Sequence, residues 1–231
     1  MSAVLDEKQT SLEAVGPAFT KEQMLSMRAK TRATINAIAA AVKPGMVEED
    51  AVEMAKDMLA AQDMVRGWHD VYVRFGANTL KTFGADSDPG IVLKDDDIFF
   101  IDIGPVWEEW EGDGGDTFVT GTDAEMAKIA ADAKTLFHIV RHKWEATSMS
   151  GKALYDFAIA EAEAMGWELN MDLSGHRLSD FPHEAIYAGP MADVDFKPSA
   201  LLWVLEIHIR HPTAGYGAFY EDMLLDDSYF A

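Results

Sequence analysis

Two of the most apolar segments of this chain each carry a carboxylate. Asp102 stands in Ile98-Phe99-Phe100-Ile101-Asp102-Ile103, and Glu206 in Leu202-Trp203-Val204-Leu205-Glu206-Ile207. Short apolar runs rich in β-branched and aromatic residues predict buried strands. A buried carboxylate is costly unless it is paired or bound to a cation. Any fold open to this chain must therefore bring partners to both positions. Glu221, among Phe219, Tyr220, Met223 and Leu224, makes the same demand, and Asp113 stands in Gly112-Asp113-Gly114-Gly115 just before another strand. Alone, Asp113 reads as a turn residue.

The stretch from Gly175 to Glu184 holds two residues that oppose a helix, Gly175 and Pro182, and predicts a loop carrying His176 and His183. Four carboxylates with one or two imidazoles suit two divalent ions, and such donors are compatible with Mn, Fe, Co or Zn. Two ions ~3.5–4 Å apart can share a water and lower its pKa, giving a nucleophile at neutral pH. The competing reading scatters these acids through the core as salt-bridge partners. It is weakened by the shortage of cations: 19 Lys and Arg face 40 Asp and Glu, and most of the basic residues fall in predicted helices.

The net charge of −21 opposes nucleic acid and anionic membrane surfaces as partners. There is no cysteine, so disulfides and thiolate chemistry are excluded. No apolar run reaches the ~18 residues of a spanning helix. No basic segment followed by an apolar one opens the sequence, and a cytoplasmic protein is expected.

Residues 1–19 read as an N-terminal arm and 20–231 as one domain. Thr20 and Gln23 have capping-box spacing. Met24, Met27, Ile35, Ile38 and Val42 mark the inward face of the helix that follows, which Lys43-Pro44-Gly45 stops. A second helix opens at Glu48-Glu49-Asp50, with Val52, Ala55 and Leu59 inward; strands are expected at Val71–Phe75, Asp97–Gly104 and Thr117–Thr120. The order then repeats. Thr122 and Glu125 open a third helix with Met126, Ile129, Ala133, Leu136, Val140 and Trp144 inward, and a fourth runs from Ser150-Gly151 to Gly166. Extended segments follow at Trp167–Leu173, Leu201–Ile209 and Gly217–Leu225. Two pseudo-symmetric αα-plus-strand halves, about 20–121 and 122–227, predict an α+β fold. Their strands would join into one curved, antiparallel-rich sheet with helices over its outer face.

With these residues in this order, the chain resembles the pita-bread metallopeptidases: methionine aminopeptidase, aminopeptidase P, prolidase and the non-peptidase creatinase. The resemblance rests on Asp102-Ile103-Gly104 with Asp113 eleven residues after Asp102, on Gly175-His176 with His183 seven residues further, on Glu206, and on Glu221-Asp222. It extends over about residues 20–227. It implies the pita-bread fold and a dinuclear site of Asp102, Asp113, His176, Glu206 and Glu221, holding two divalent ions such as Mn, Co, Zn or Fe. It also implies hydrolysis of small peptides by a metal-bridging hydroxide. Glu206 would take the water's proton and pass it on, and His183 would hydrogen-bond the scissile carbonyl oxygen. The implied partner is a small peptide or peptide-like substrate, with homodimerisation left open.

Three positions depart from the family pattern. Phe83, in Thr82-Phe83-Gly84, stands where the family carries a histidine; Asp116 and Phe219 stand where aminopeptidase P and prolidase carry arginines. These departures bear on Xaa-Pro specificity and on peptidase activity itself. They keep two alternatives in play: a creatinase-like C–N hydrolase or lyase on the same fold, and a low-activity binding module. Phe83 is expected to line the substrate pocket. His208 is two residues from Glu206, hence on the same strand face, and is expected to supply the missing imidazole there. The remaining histidines read as structural: His69 beside Trp68, His138 and His142 on a helix without the zincin glutamate, and His211 in a loop before Pro212.

Overall fold

Side chains at the helix starts fix much of the local structure. The computed structural model describes residues 2–229, with side chains from residue 7 onward. The first half holds helices α1 (Ser2–Leu12), α2 (Lys21–Ala41) and α3 (Glu48–Ala60), then strands β1 (Arg66–Gly67), β2 (Tyr72–Phe75), β3 (Asp97–Ile103), β4 (Pro105–Trp107), β5 (Trp110–Glu111) and β6 (Gly114–Thr120). The second half holds α4 (Ala124–Ala146), α5 (Gly151–Met165), β7 (Glu168–Leu169), β8 (His176–Arg177), β9 (Trp203–Arg210) and β10 (Gly217–Met223). Thr20 caps α2 by accepting from the Gln23 nitrogen at 3.2 Å, and Ser150 caps α5 by accepting from Ala153 at 3.2 Å. Each satisfies a main-chain donor that a helix start leaves unpaired. Gly166 ends α5 at φ +89°, a backbone only glycine adopts without strain.

Some boundaries differ from expectation. Asp123, not Thr122, caps α4: one carboxylate oxygen accepts from both Glu125 and Met126 nitrogens at 2.9 Å. Of Trp167–Leu173 only β7 is strand, because the antiparallel register with β9 extends over only Glu168 and Leu169. Ala51 rather than Val52 shares the buried face of α3 with Ala55 and Leu59. The expected arm contains α1, and the residue that follows the helix anchors it. Glu13 accepts from Ser199 N, Ser199 Oγ and Trp203 Nε1 at 2.8, 2.7 and 2.6 Å.

The larger sheet has the order β2-β3-β6-β10-β9-β7, with β8 also paired to β9; a smaller one has the order β1-β4-β5. Every pairing is antiparallel. The two halves join between β6 and β10, where Glu221 stands opposite Gly115. Alternation along the strands sends Ile101 and Ile103 into one core with Met24, Ile35 and Ile38 of α2. Leu205, Ile207 and Ile209 go into another with Ile129, Leu136 and Val140 of α4. Period two then turns Asp102, Glu206 and Glu221 to the opposite face. On the helix side, Asp222 is held by Arg28 through bonds of 2.7 and 2.6 Å.

Candidate metal centre

Strand register brings the carboxylates together. Gly115 faces Asp102 on one side and Glu221 on the other, and Glu221 faces Glu206. Gly115 can have no side chain there: a Cβ would come within 2.4 Å of the Phe219 ring and 3.0 Å of Ile101 O. Across that gap the Glu221 carboxylate is a charged neighbour of Asp102 and of Glu206. Gly175, at φ +70°, turns its N–H onto Glu206 Oε2 at 2.8 Å. His176 follows it, with Nδ1 2.6 Å from Arg177 O and Nε2 2.8 Å from Asp113 Oδ2. All five expected ligands line one cleft of about 310 Å³, together with His183 and Phe83.

Two residues not singled out in the sequence shape this cleft, His69 in its lining and Glu111 behind His183. His69, read as structural, places Nε2 3.4 Å from both Asp102 Oδ1 and Asp113 Oδ1. Glu111 is buried and accepts from His183 N at 3.0 Å, His183 Nδ1 at 2.9 Å and Ser179 N at 3.0 Å. Nδ1 is thus the bonded nitrogen of His183, and Nε2 is left to the cleft. Glu111 was hidden by its company, since Glu108 and Glu109 beside it are exposed. The Trp68 ring packs among the three imidazoles, 4.4, 4.8 and 4.9 Å from His69, His176 and His183.

His208 does not reach the cleft. It is fully buried, with Nδ1 3.0 Å from Asn170 Nδ2 and Nε2 2.7 Å from Thr79 O. Burial pushes its pKa down to about 4, against the hydrogen bond to Thr79. Strand alternation was right; the expectation failed because the turn at 76–80 and Asn170 cover that end of the face. Phe83 is 47% exposed, at the cleft mouth, 5.5 Å from the His69 ring. Asp116 faces away and binds Arg32 at 2.6 Å, while Phe219 packs on Phe100.

The electrostatics follow from four acids in one desolvated place. Burial first, and then Asp113, Asp102 and Glu206, hold Glu221 well above the usual carboxyl range. Burial lifts Asp102 to about 6, despite the His69 charge. Burial also opposes ionisation of Asp113, but His176 and His69 outweigh it and bring that group down to about 2. Burial disfavours the charged imidazoles too, yet the adjacent acids raise His69 to about 9 and His176 to about 10.

Two oxygens in this cluster are buried without a hydrogen-bond donor, Asp113 Oδ2 and Glu221 Oε1. The 2.8 Å approach of His176 Nε2 to Asp113 Oδ2 is out of line for a hydrogen bond. Ligand atoms of Asp113, His176 and Glu221 lie within 4.8 Å of one another, close to the ~4 Å span of donors on one ion with bonds of ~2.0–2.2 Å. Orphaned buried oxygens beside an imidazole fit a cation, and these residues fit the ions that the donor set implies.

The model of metallopeptidase family M24 matches residues 22–225. Methionine aminopeptidase of Clostridium acetobutylicum is 27% identical over 160 residues, which is 65% of this chain and 62% of that protein. The match thus spans less than two thirds of the relative's length. The prolidase of Pyrococcus horikoshii superposes with a TM-score of 0.69 at 15% identity, covering 89% of this chain and 59% of its own. X-Pro aminopeptidase of Thermotoga maritima gives 0.70 at 15% identity, covering 96% and 61%. Methionine aminopeptidase of the same organism gives 0.64 at 14%, covering 88% and 92%. At such identities the likeness shows the fold, which is the α+β pita-bread architecture expected from the sequence.

Proposed function

Because the chain belongs to metallopeptidase family M24, we propose that it is a dinuclear metal-dependent hydrolase of small peptides. The observation that carries this reading is the pair of donorless buried oxygens, on Asp113 and Glu221, inside a cleft shared with Asp102, His176 and Glu206. Those five residues would hold the ions. When bound, the ions supply Lewis acidity and offset the repulsion among the acids.

The chain's own groups supply the rest. Glu206 is anchored through Oε2 by Gly175, and its carboxylate can take a proton in the cleft and return it to a leaving amine. His183 donates Nδ1–H to the Glu111 carboxylate, and with hydrogen on both ring nitrogens its Nε2–H faces the position of a substrate carbonyl oxygen, where charge develops. Trp68 and Phe83 wall the cleft and favour an apolar side chain next to the reacting bond. The reading includes a cytoplasmic setting, with homodimerisation left open. No helix among the described residues is long and apolar enough to cross a membrane.

A second reading, a creatinase-like C–N hydrolase, is compatible with Asp172 and Glu184 in the cleft lining, which suit a cationic guanidino group as well as a peptide amine. A panel of dipeptides, Xaa-Pro peptides, Met-initiated peptides and guanidino acids, run with Mn, Co and Zn, separates the two. Turnover of guanidino acids alone selects the second reading. A metal-loaded protein that turns over none of them is a binding module.

A further inference from the structure

His69 and His176 are built alike on opposite sides of Asp113. Each ring places Nδ1 against the carbonyl oxygen of the next residue, Asp70 at 2.5 Å and Arg177 at 2.6 Å. A carbonyl only accepts, so in the neutral rings the proton sits on Nδ1 and the Nε2 lone pair points the other way. That is the tautomer a metal-ligating histidine needs. His176 Nε2 faces Asp113 Oδ2, and His69 Nε2 faces Asp113 Oδ1. The two oxygens of one carboxylate thus each have an imidazole nitrogen beside them.

The contacts of His69 are poor as hydrogen bonds and good as a coordination edge. Nε2 is equally far, 3.4 Å, from Asp102 Oδ1 and Asp113 Oδ1, and the side chain is 3% exposed. A single N–H shared between both oxygens aims squarely at neither, and 3.4 Å is long for either. Donors sharing one ion through bonds of ~2.1 Å stand ~3.0–3.4 Å apart, the longer value for tetrahedral geometry. His69, Asp102 and Asp113 form a second group of donor atoms within 4.8 Å, which shares Asp113 with the group of Asp113, His176 and Glu221.

We propose that His69 is a ligand of the second divalent ion, so that Asp113 bridges two metal positions that each carry an imidazole. The proposal rests on the dinuclear reading given above. A nitrogen donor at the second position shifts its preference toward Zn or Co and away from the oxygen-preferring Mn and Mg. Trp68, packed against both rings, holds His69 in place.

The test is metal stoichiometry and affinity for Zn and Co in the wild type, His69→Ala, His69→Gln and Asp113→Ala, by calorimetry and equilibrium dialysis. X-ray absorption of the Zn-loaded wild type counts imidazoles and needs no variant to fold. We expect two ions per chain in the wild type, with an average of one imidazole per zinc. Both His69 variants should keep the first ion and bind the second at least ~10-fold more weakly. Asp113→Ala should lose both. Two ions with unchanged affinities in the His69 variants, or half an imidazole per zinc in the wild type, overturns the role of His69 and leaves the dinuclear reading intact. A wild type that binds one ion while His69→Ala binds two also overturns it, since His69 would then be occupying the second position itself. A wild type that binds no metal overturns both readings.

Discussion

Glu111 holds His183 at two points, its main-chain nitrogen at 3.0 Å and its Nδ1 at 2.9 Å, across 72 residues of sequence. The same carboxylate takes the nitrogen of Ser179. The loop around His183 is therefore docked on β5, and the ring has one orientation. Glu111→Ala should lower kcat by ~10–100-fold with little change in KM and no change in metal stoichiometry. Glu111→Gln, which keeps an acceptor for the main chain, should recover part of the loss. The measurement is kcat and KM beside metal content, and an equal loss of metal in both variants would reduce Glu111 to a structural strut.

His183→Ala removes the donor proposed to face the substrate carbonyl. Turnover should fall ~10²–10³-fold, the usual effect of losing one oxyanion donor. Metal binding should be unchanged, because His183 is bonded to Glu111 and not to the carboxylate cluster. Unchanged turnover with the best substrate would rule out the role.

Divalent ions should stabilise the fold, because they offset the burial and the mutual repulsion that together raise Glu221 and Asp102. An ion at 100 times its dissociation constant adds ~2.7 kcal/mol, which for a domain of this size raises Tm by roughly 5–10 °C. Thermal melts of chelator-treated protein with and without Zn or Mn check this. Asp113→Ala should abolish the shift.

Gly115→Ala should damage stability and site together. Its Cβ would lie 2.4 Å from Phe219, which is itself buried, so the ring or the strand must move. Overpacking of this kind costs ~1–3 kcal/mol. Because Gly115 stands between Asp102 and Glu221, metal affinity should weaken as well. A variant with wild-type Tm and wild-type affinity would show that the gap is not needed.

His208→Ala should behave as a core mutation. It leaves Asn170 Nδ2 and Thr79 O without their partner, at a cost of ~1–3 kcal/mol for each buried group left unsatisfied. Metal stoichiometry should be kept, and any loss of activity should follow the loss of folded protein in denaturant titration. A large drop in kcat at unchanged stability would return His208 to the chemistry.

Much of this molecule is written locally. The caps at Thr20 and Ser150 and the period of Met24, Ile35 and Ile38 need only near neighbours in the chain. The apolar strands that carry Asp102 and Glu206 are equally legible, and a carboxylate in such a strand announces a partner before any partner is known. Strand alternation also turns the acids to one face without reference to the rest of the fold. What covers that face is decided by chain segments far away in sequence. Thr79 closes over His208 from 129 residues away, which takes its imidazole out of the cleft. His69 reaches Asp113 across 44 residues and enters the cleft, although its own neighbourhood gives no sign of it. Glu111 is indistinguishable from Glu108 and Glu109 until His183 is folded onto it. Local propensity and period are properties of a single segment. The choice among similar polar residues is made only where two segments meet, because only there are burial and hydrogen-bond partners defined.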